Sequence, residues 1–122
     1  MINNNINIDI FDNWALENKD IGMEKGHAPA VGKMLSLINE RTAILSRQFN
    51  FLDLGCGNGW VVEKFSNNSL CDLAVGVDGA GNMIKKARFR DTKGVYYQNN
   101  IETWNCEDKF DIIFSMETFY YF

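Results

Sequence analysis

A chain of 122 residues with 46% hydrophobic content and a single proline can build one packed domain and is too short for two. Twelve Lys and Arg against sixteen Asp and Glu leave a net charge of -4, which argues against duplex nucleic acid or an anionic membrane as partner, since both need a concentrated basic face. Cys56, Cys71 and Cys106 are odd in number without C-x-x-C spacing, so neither a disulfide framework nor a metal site is expected, and no run reaches membrane-span length; the expectation is a soluble, cytoplasmic protein.

After the polar start "INNNINI", the pattern predicts a short helix around Phe11 to Glu17. A break is expected near Gly22 to Pro29. The next helix then runs from about Pro29 to Ser46, with Val31, Met34, Leu35, Leu37, Ile38 and Leu45 as its apolar residues and Pro29 in its first turn. From Phe51 the chain alternates. "FLDLG" reads as a strand, "GWVVEKFSNN" as a helix, "LAVGVD" as a second strand and "AGNMIKKARFRD" as a helix. The "KKARFR" end of that helix is expected in solvent, where its cations suit the helix dipole. "VYYQNN" is a third strand and "FDIIFS" a fourth, with an irregular "IETWNCEDK" between them. Strands alternating with helices predict an α/β fold, a parallel sheet with helices on both faces.

Gly55, Gly57 and Gly59 follow the first strand directly, and Asp53 precedes them on it. In a parallel sheet, ligands bind at the carboxyl ends of the strands, where a glycine turn lets them approach backbone N–H groups. The bland alternative is a tight turn that uses glycine only for its positive φ. A dinucleotide fingerprint would need glycine at 55, 57 and 60, but position 60 is Trp60, whose indole would obstruct a pyrophosphate. An NAD-type oxidoreductase is therefore disfavoured.

The stretch "LDLGCGNGW" resembles the first motif of the class I, Rossmann-like S-adenosylmethionine-dependent methyltransferases, an acid followed by x-G-x-G-x-G. The likeness continues through "AVGVDGAGNMIKKAR", "VYYQNNIETW" and "FDIIFSMETFYYF", and so covers about residues 50 to 122. It implies a Rossmann-like sheet of about four strands, truncated relative to the usual seven-stranded fold. The first strand would be central, with the second and third on one side and the fourth on the other. Residues 1–48 would form a helical lead-in or lid and residues 49–122 the cofactor-binding core.

The resemblance also implies roles for particular residues. Asp53 and the backbone of Gly55, Cys56 and Gly57 would hold the methionine end of S-adenosylmethionine, and a carboxylate suits the ammonium and sulfonium charges there. Asp78, with Gly79 beside it at the end of the second strand, would accept hydrogen bonds from both ribose hydroxyls. Met83 would lie against the adenine, or else be a helix residue packed on the sheet. Asn100 stands where the family commonly has an acid; its amide oxygen can still accept from the adenine amino group, and the backbone N–H of Ile101 could read the ring. Ser115, Met116 and Glu117 would line the space beside cofactor and substrate, although a Met and aromatic run also reads as core. Trp14, Met23 and His27 could form a lid; His27 reads as an ordinary surface or capping histidine ahead of a base.

The implied reaction is in-line methyl transfer to a small molecule, with S-adenosylhomocysteine as product. Alignment of donor and nucleophile can supply about 7–11 kcal/mol of the barrier, and no metal is required. A module that binds S-adenosylmethionine without transferring its methyl group is the alternative. Because the sequence stops just after the fourth strand, it reads as the N-terminal part of a longer enzyme. The uncovered fourth strand and the aromatics Phe119 to Phe122 then suggest a homodimer through that edge, the alternative being that Phe119 to Phe122 fold back to cover it.

Overall fold

In the computed structural model, which describes residues 9, 12, 13, 15–45 and 47–115, the alternation of apolar runs and helical segments becomes a single parallel sheet. The elements are α1 (Lys19–Leu45), β1 (Phe49–Leu54), α2 (Trp60–Ser66), β2 (Cys71–Asp78), α3 (Gly81–Arg90), β3 (Val95–Gln98) and β4 (Ile112–Phe114). The strand order is β3-β2-β1-β4, with β1 inside the sheet as expected. Phe51 of β1 is in register with Ala74 of β2 on one side and Ile112 of β4 on the other. The apolar, β-branched and aromatic residues of these runs suit strands covered on both faces.

Handedness decides which face each connection covers. The steps from β1 to β2 and from β2 to β3 run the same way across the sheet, so right-handed crossovers bring α2 and α3 to one face. There Phe51, Val61, Val62, Phe65, Ile84 and Ala87 form the core, joined by Val31 from α1. Phe51 stacks on Phe65 with centroids 3.8 Å apart. The connection from β3 to β4 returns in the opposite direction and crosses the other face. It is not helical: Ile101, Trp104 and Phe110 cover Leu52, Val75 and Val77. Among the described residues, helices therefore cover one face and not both.

Two further expectations are corrected. The break predicted near Gly22 to Pro29 is absent, and α1 runs unbroken through Pro29. Proline removes one intrahelical bond, to the carbonyl of Lys25, but Lys25 and Pro29 are both exposed, so water can serve that group. Tertiary anchors at both ends of the glycine-rich stretch then outweigh its low helix propensity: Asp20 and Glu24 pair with α3, and Val31 enters the core. Leu35 and Ile38 pack beside Val31, whereas Met34 and Leu37 face outward at 44% and 61% exposure; the Leu45 side chain lies outside the described residues. The "KKARFR" end of α3 is likewise not simply solvated. Lys86 bonds Asp20 at 2.8 Å, Arg90 bonds Glu24 at 2.7 Å, and Arg88 donates to the Tyr96 carbonyl. Phe89 is the residue that stands out, 94% exposed.

Of the short helix predicted around Phe11 to Glu17, Asp12, Asn13, Ala15 and Leu16 are helical, while Phe11 lies outside the described residues. It ends at Asn18, whose φ of 60° is a left-handed conformation that asparagine tolerates. No helix among the described residues is long and apolar enough to cross a membrane.

Candidate functional site

β1 delivers the chain into a turn in which Gly55, Gly57 and Gly59 have φ of 83°, 55° and 82°. All three lie in the left-handed region that favours glycine. The turn is tied to the end of β2, because the N–H groups of Gly55 and Cys56 both donate to the Val77 carbonyl, at 2.7 and 3.0 Å. Two of its glycines do different work. A Cβ on Gly59 would meet the Ala87 Cβ at 2.8 Å and the Tyr96 ring at 2.9 Å, so this position lets α2 approach α3 and β3. A Cβ on Gly57 would meet nothing within 4 Å, so there the missing side chain leaves open space. Close packing is thus served at Gly59, which leaves position 60 free to be the buried Trp60.

Two carboxyl groups flank the turn. Asp53 follows Phe51 by two positions and so lies on the same, helix-covered face of β1. It is 3% exposed, and its Oδ1 has no hydrogen-bond partner among the described residues. Burial, and then the charge of Asp78, push its pKa up to about 8. Asp78 is better served. Its Oδ2 accepts from the Gly57 N–H and its Oδ1 from the Ala80 N–H, both at 2.9 Å. Burial raises its pKa above the ordinary carboxyl value, and the two N–H groups oppose that rise. Each oxygen keeps acceptor capacity for a further donor.

A cleft opens over the turn, lined by Asp53, the 55–58 segment, Trp60 and Met83, with Asp20 and Glu24 of α1 on its far wall. Its lining contains no Lys or Arg among the described residues, which suits a cationic guest and not a phosphate. The cleft therefore brings together Asp53, Gly55, Cys56, Gly57 and Met83, and Asp78 adjoins it through Gly57. Cys56 contributes backbone, since its sulfur packs where a side chain on Gly76 would otherwise lie. Met83 is buried against Ala15 and Ala80, between the lead-in and the α3 cap. Gly79 sits half-exposed between Asp78 and Ala80.

The remaining predicted residues lie around this centre. The Asn99 N–H donates to the Asp78 carbonyl, which sets the following Asn100 near the end of β2. The Asn100 side chain caps its own turn, its Oδ1 accepting from the Glu102 N–H at 2.9 Å. Ile101 packs its side chain on the sheet. Ser115 donates to the Leu54 carbonyl at 3.0 Å, at the β4 side of the turn. His27 is half-buried on α1 and does not line the cleft. The Met23 backbone is part of α1; its side chain, like Trp14, Met116, Glu117 and the C-terminal aromatics, lies outside the described residues. Sequence reading missed Asp20, Glu24 and Asn58. The available signal was the pair of acids four residues apart, which a continuous helix places on one face.

A family profile described as "Methyltransferase domain" matches residues 52–122. A malonyl-[acyl-carrier protein] O-methyltransferase from Bacillus anthracis is 35% identical over 88 residues, covering 70% of this chain and 32% of that protein. Among solved structures, the methyltransferase complexed with the Trm112 activator of Haloferax volcanii superposes with a TM-score of 0.69 at 24% identity, over 90% of this chain and 48% of that one. DhpI in complex with S-adenosylhomocysteine gives 0.64 at 22% identity, over 88% of this chain and 50% of that one. The chain thus spans about a third of the curated relatives it matches and about half of these two structures.

Proposed function

Since this chain belongs to the methyltransferase-domain family, in its S-adenosylmethionine-dependent class, we propose that it holds S-adenosylmethionine at the ends of β1 and β2 and directs its methyl group to a small-molecule acceptor. The observation that carries this reading is the buried Oδ1 of Asp53, without a partner among the described residues, in a cleft whose described lining has no cation, beside the open face of Gly57. Asp53 is suited to the ammonium end of the cofactor, and the ion brought beside it would restore its charge. Asp78 has one acceptor position left on each oxygen for the two ribose hydroxyls. Met83 offers an apolar wall for the adenine, with Asn100 and the Ile101 backbone at its edge. Gly79 and Ser115 flank the cofactor. The bound sulfonium supplies an activated methyl group; the chain aligns it and excludes water. The Bacillus relatives are named for a malonyl group on acyl-carrier protein, which makes a small carboxylic acyl group one acceptor to test.

α1 serves as the wall of a lid over this cleft, with Asp20 and Glu24 as its described contacts. Holding the cofactor without transferring the methyl group is the second reading. A homodimer through β4 accompanies the proposal: among the described residues β4 is an edge strand, and Ile113 on it is 64% exposed. A cytoplasmic setting agrees with three free cysteines.

Calorimetric titration with S-adenosylmethionine, S-adenosylhomocysteine and NAD tests the reading. The two adenosyl ligands should bind and NAD should not. Asp78→Ala should weaken S-adenosylhomocysteine roughly 10- to 150-fold, the worth of a charge-assisted hydrogen bond. Unchanged affinity in a folded variant would remove Asp78 from the site, and turnover would separate transfer from binding alone.

A further inference from the structure

Asn58 has the most heavily used side chain of the glycine turn, and nothing in the proposed binding of the cofactor needs it. It is 6% exposed. Its Nδ2 donates to Asp20 Oδ2 at 2.8 Å and Glu24 Oε2 at 3.2 Å, both on α1. Its Oδ1 accepts from Arg90 Nη1 of α3 at 3.0 Å and from the Trp60 N–H at 3.2 Å, which begins α2. One amide therefore joins three helices at the point where the turn faces the cleft. Both acids are further held from outside, Asp20 by Lys86 at 2.8 Å and Glu24 by Arg90 at 2.7 Å. Burial alone would raise the pKa of Glu24, but the hydrogen bonds from Arg90 and Asn58 bring it below the ordinary value. Asn58 thus faces carboxylates on one side and a guanidinium on the other, the arrangement an amide satisfies with its donor and its acceptor at once.

We propose that Asn58 is a positioning residue that latches α1 across the cofactor cleft, so that entry and release of the cofactor require the bonds from Asn58 to Asp20 and Glu24 to open. The lid and the turn that cradles the ligand are then one mechanical unit. An amide is needed because a carboxylate of the same shape would face two acids. The ligand part of this inference rests on the proposed cofactor; the latch itself does not.

The test uses Asn58→Asp. In the full chain without ligand, trypsin should cut faster after Lys25 and Lys33, the exposed lysines of α1. With S-adenosylhomocysteine, stopped-flow release should quicken by at least about 10-fold, the lower end of what losing one hydrogen bond to a charged group is worth, since two are lost. Reversing the polarity on the other side with Asp20→Asn and Glu24→Gln, which supply donors to the new carboxylate, should return both rates to within about threefold of the parent, on the same scale of one hydrogen bond. A merely structural role would not be rescued this way. If Asn58→Asp does not fold, Asn58→Ser, which shortens the reach without adding charge, is read by the same two rates. Unchanged cleavage and release in a folded variant, or failure of the triple variant to restore them, would overturn the latch. Faster cleavage in a chain that binds no S-adenosylhomocysteine would uphold the latch and defeat the cofactor reading instead.

Discussion

The two faces of the sheet are built from different materials. On one, three helices close over Phe49, Phe51, Phe65, Ile84 and Ala87, each no more than 3% exposed. On the other, the connection between β3 and β4 lays Ile101, Trp104 and Phe110, all only partly buried, over Leu52, Val75 and Val77. The proposed site grows from the rim of the first face, where Asp53 continues the line of Phe51. A group that must sit unpaired in a dry place is held by the more densely packed half. The residues that would meet the adenine edge come from the looser half, where Asn100 caps a turn.

The contrast breaks most directly at Phe51. Phe51→Ala should cost about 3–5 kcal/mol in urea unfolding, because a fully buried ring stacked on Phe65 leaves a cavity that helices cannot fill. Trp104→Ala, on the looser face, should cost only roughly 1–2 kcal/mol, since part of the ring already meets water. Equal losses would erase the distinction between the faces.

A second comparison lies inside the turn. Gly59→Ala should cost about 2–4 kcal/mol, as its methyl group would press on Ala87 and Tyr96 in a left-handed backbone. Gly57→Val should cost roughly 1–2 kcal/mol for the backbone alone, with open space around the new side chain, yet abolish S-adenosylhomocysteine binding. Normal affinity in Gly57→Val would reduce that glycine to a turn-former.

The same rim of the sheet should show a pH dependence, at Asp53. Its folded pKa of about 8 lies above the unfolded value near 4, so between those limits the folded chain binds more protons. Stability from this group is therefore complete below pH ~4 and is lost as the pH rises through about 8. Asp53→Asn should flatten that slope, gaining stability over the parent at pH 8 while leaving stability at low pH unchanged. Parallel slopes in urea titrations at pH 5 and 8 would show that Asp53 ionises freely.

What was legible in the sequence had local causes. Each strand was a short apolar run, and the acid, the glycines and Asp78 lie at strand ends where β-structure and turn chemistry alternate within a few residues. The strand order agreed with the resemblance. What was not legible depended on distant partners. Pro29 and two glycines favour a break in α1, and only the anchors from α3 and the core, tens of residues away, show why the helix continues. Asn58 looks like an interchangeable turn residue until Asp20, Glu24 and Arg90 arrive around it. The uneven covering of the two faces follows from the direction of a crossover, and local pattern carries no record of direction.

The bonds that shape the turn have a consequence for the lifetime of the native chain. Gly55 and Cys56 lean on the carbonyl of Val77, and Gly57 on the carboxylate of Asp78, residues more than twenty positions further along the chain. These three bonds form only once β2 has docked beside β1. A nascent or unfolding chain therefore offers a ligand no partial foothold. Whatever is held there stabilises the docked strands alone, so it prolongs the survival of molecules already folded and does not hasten the folding of the rest.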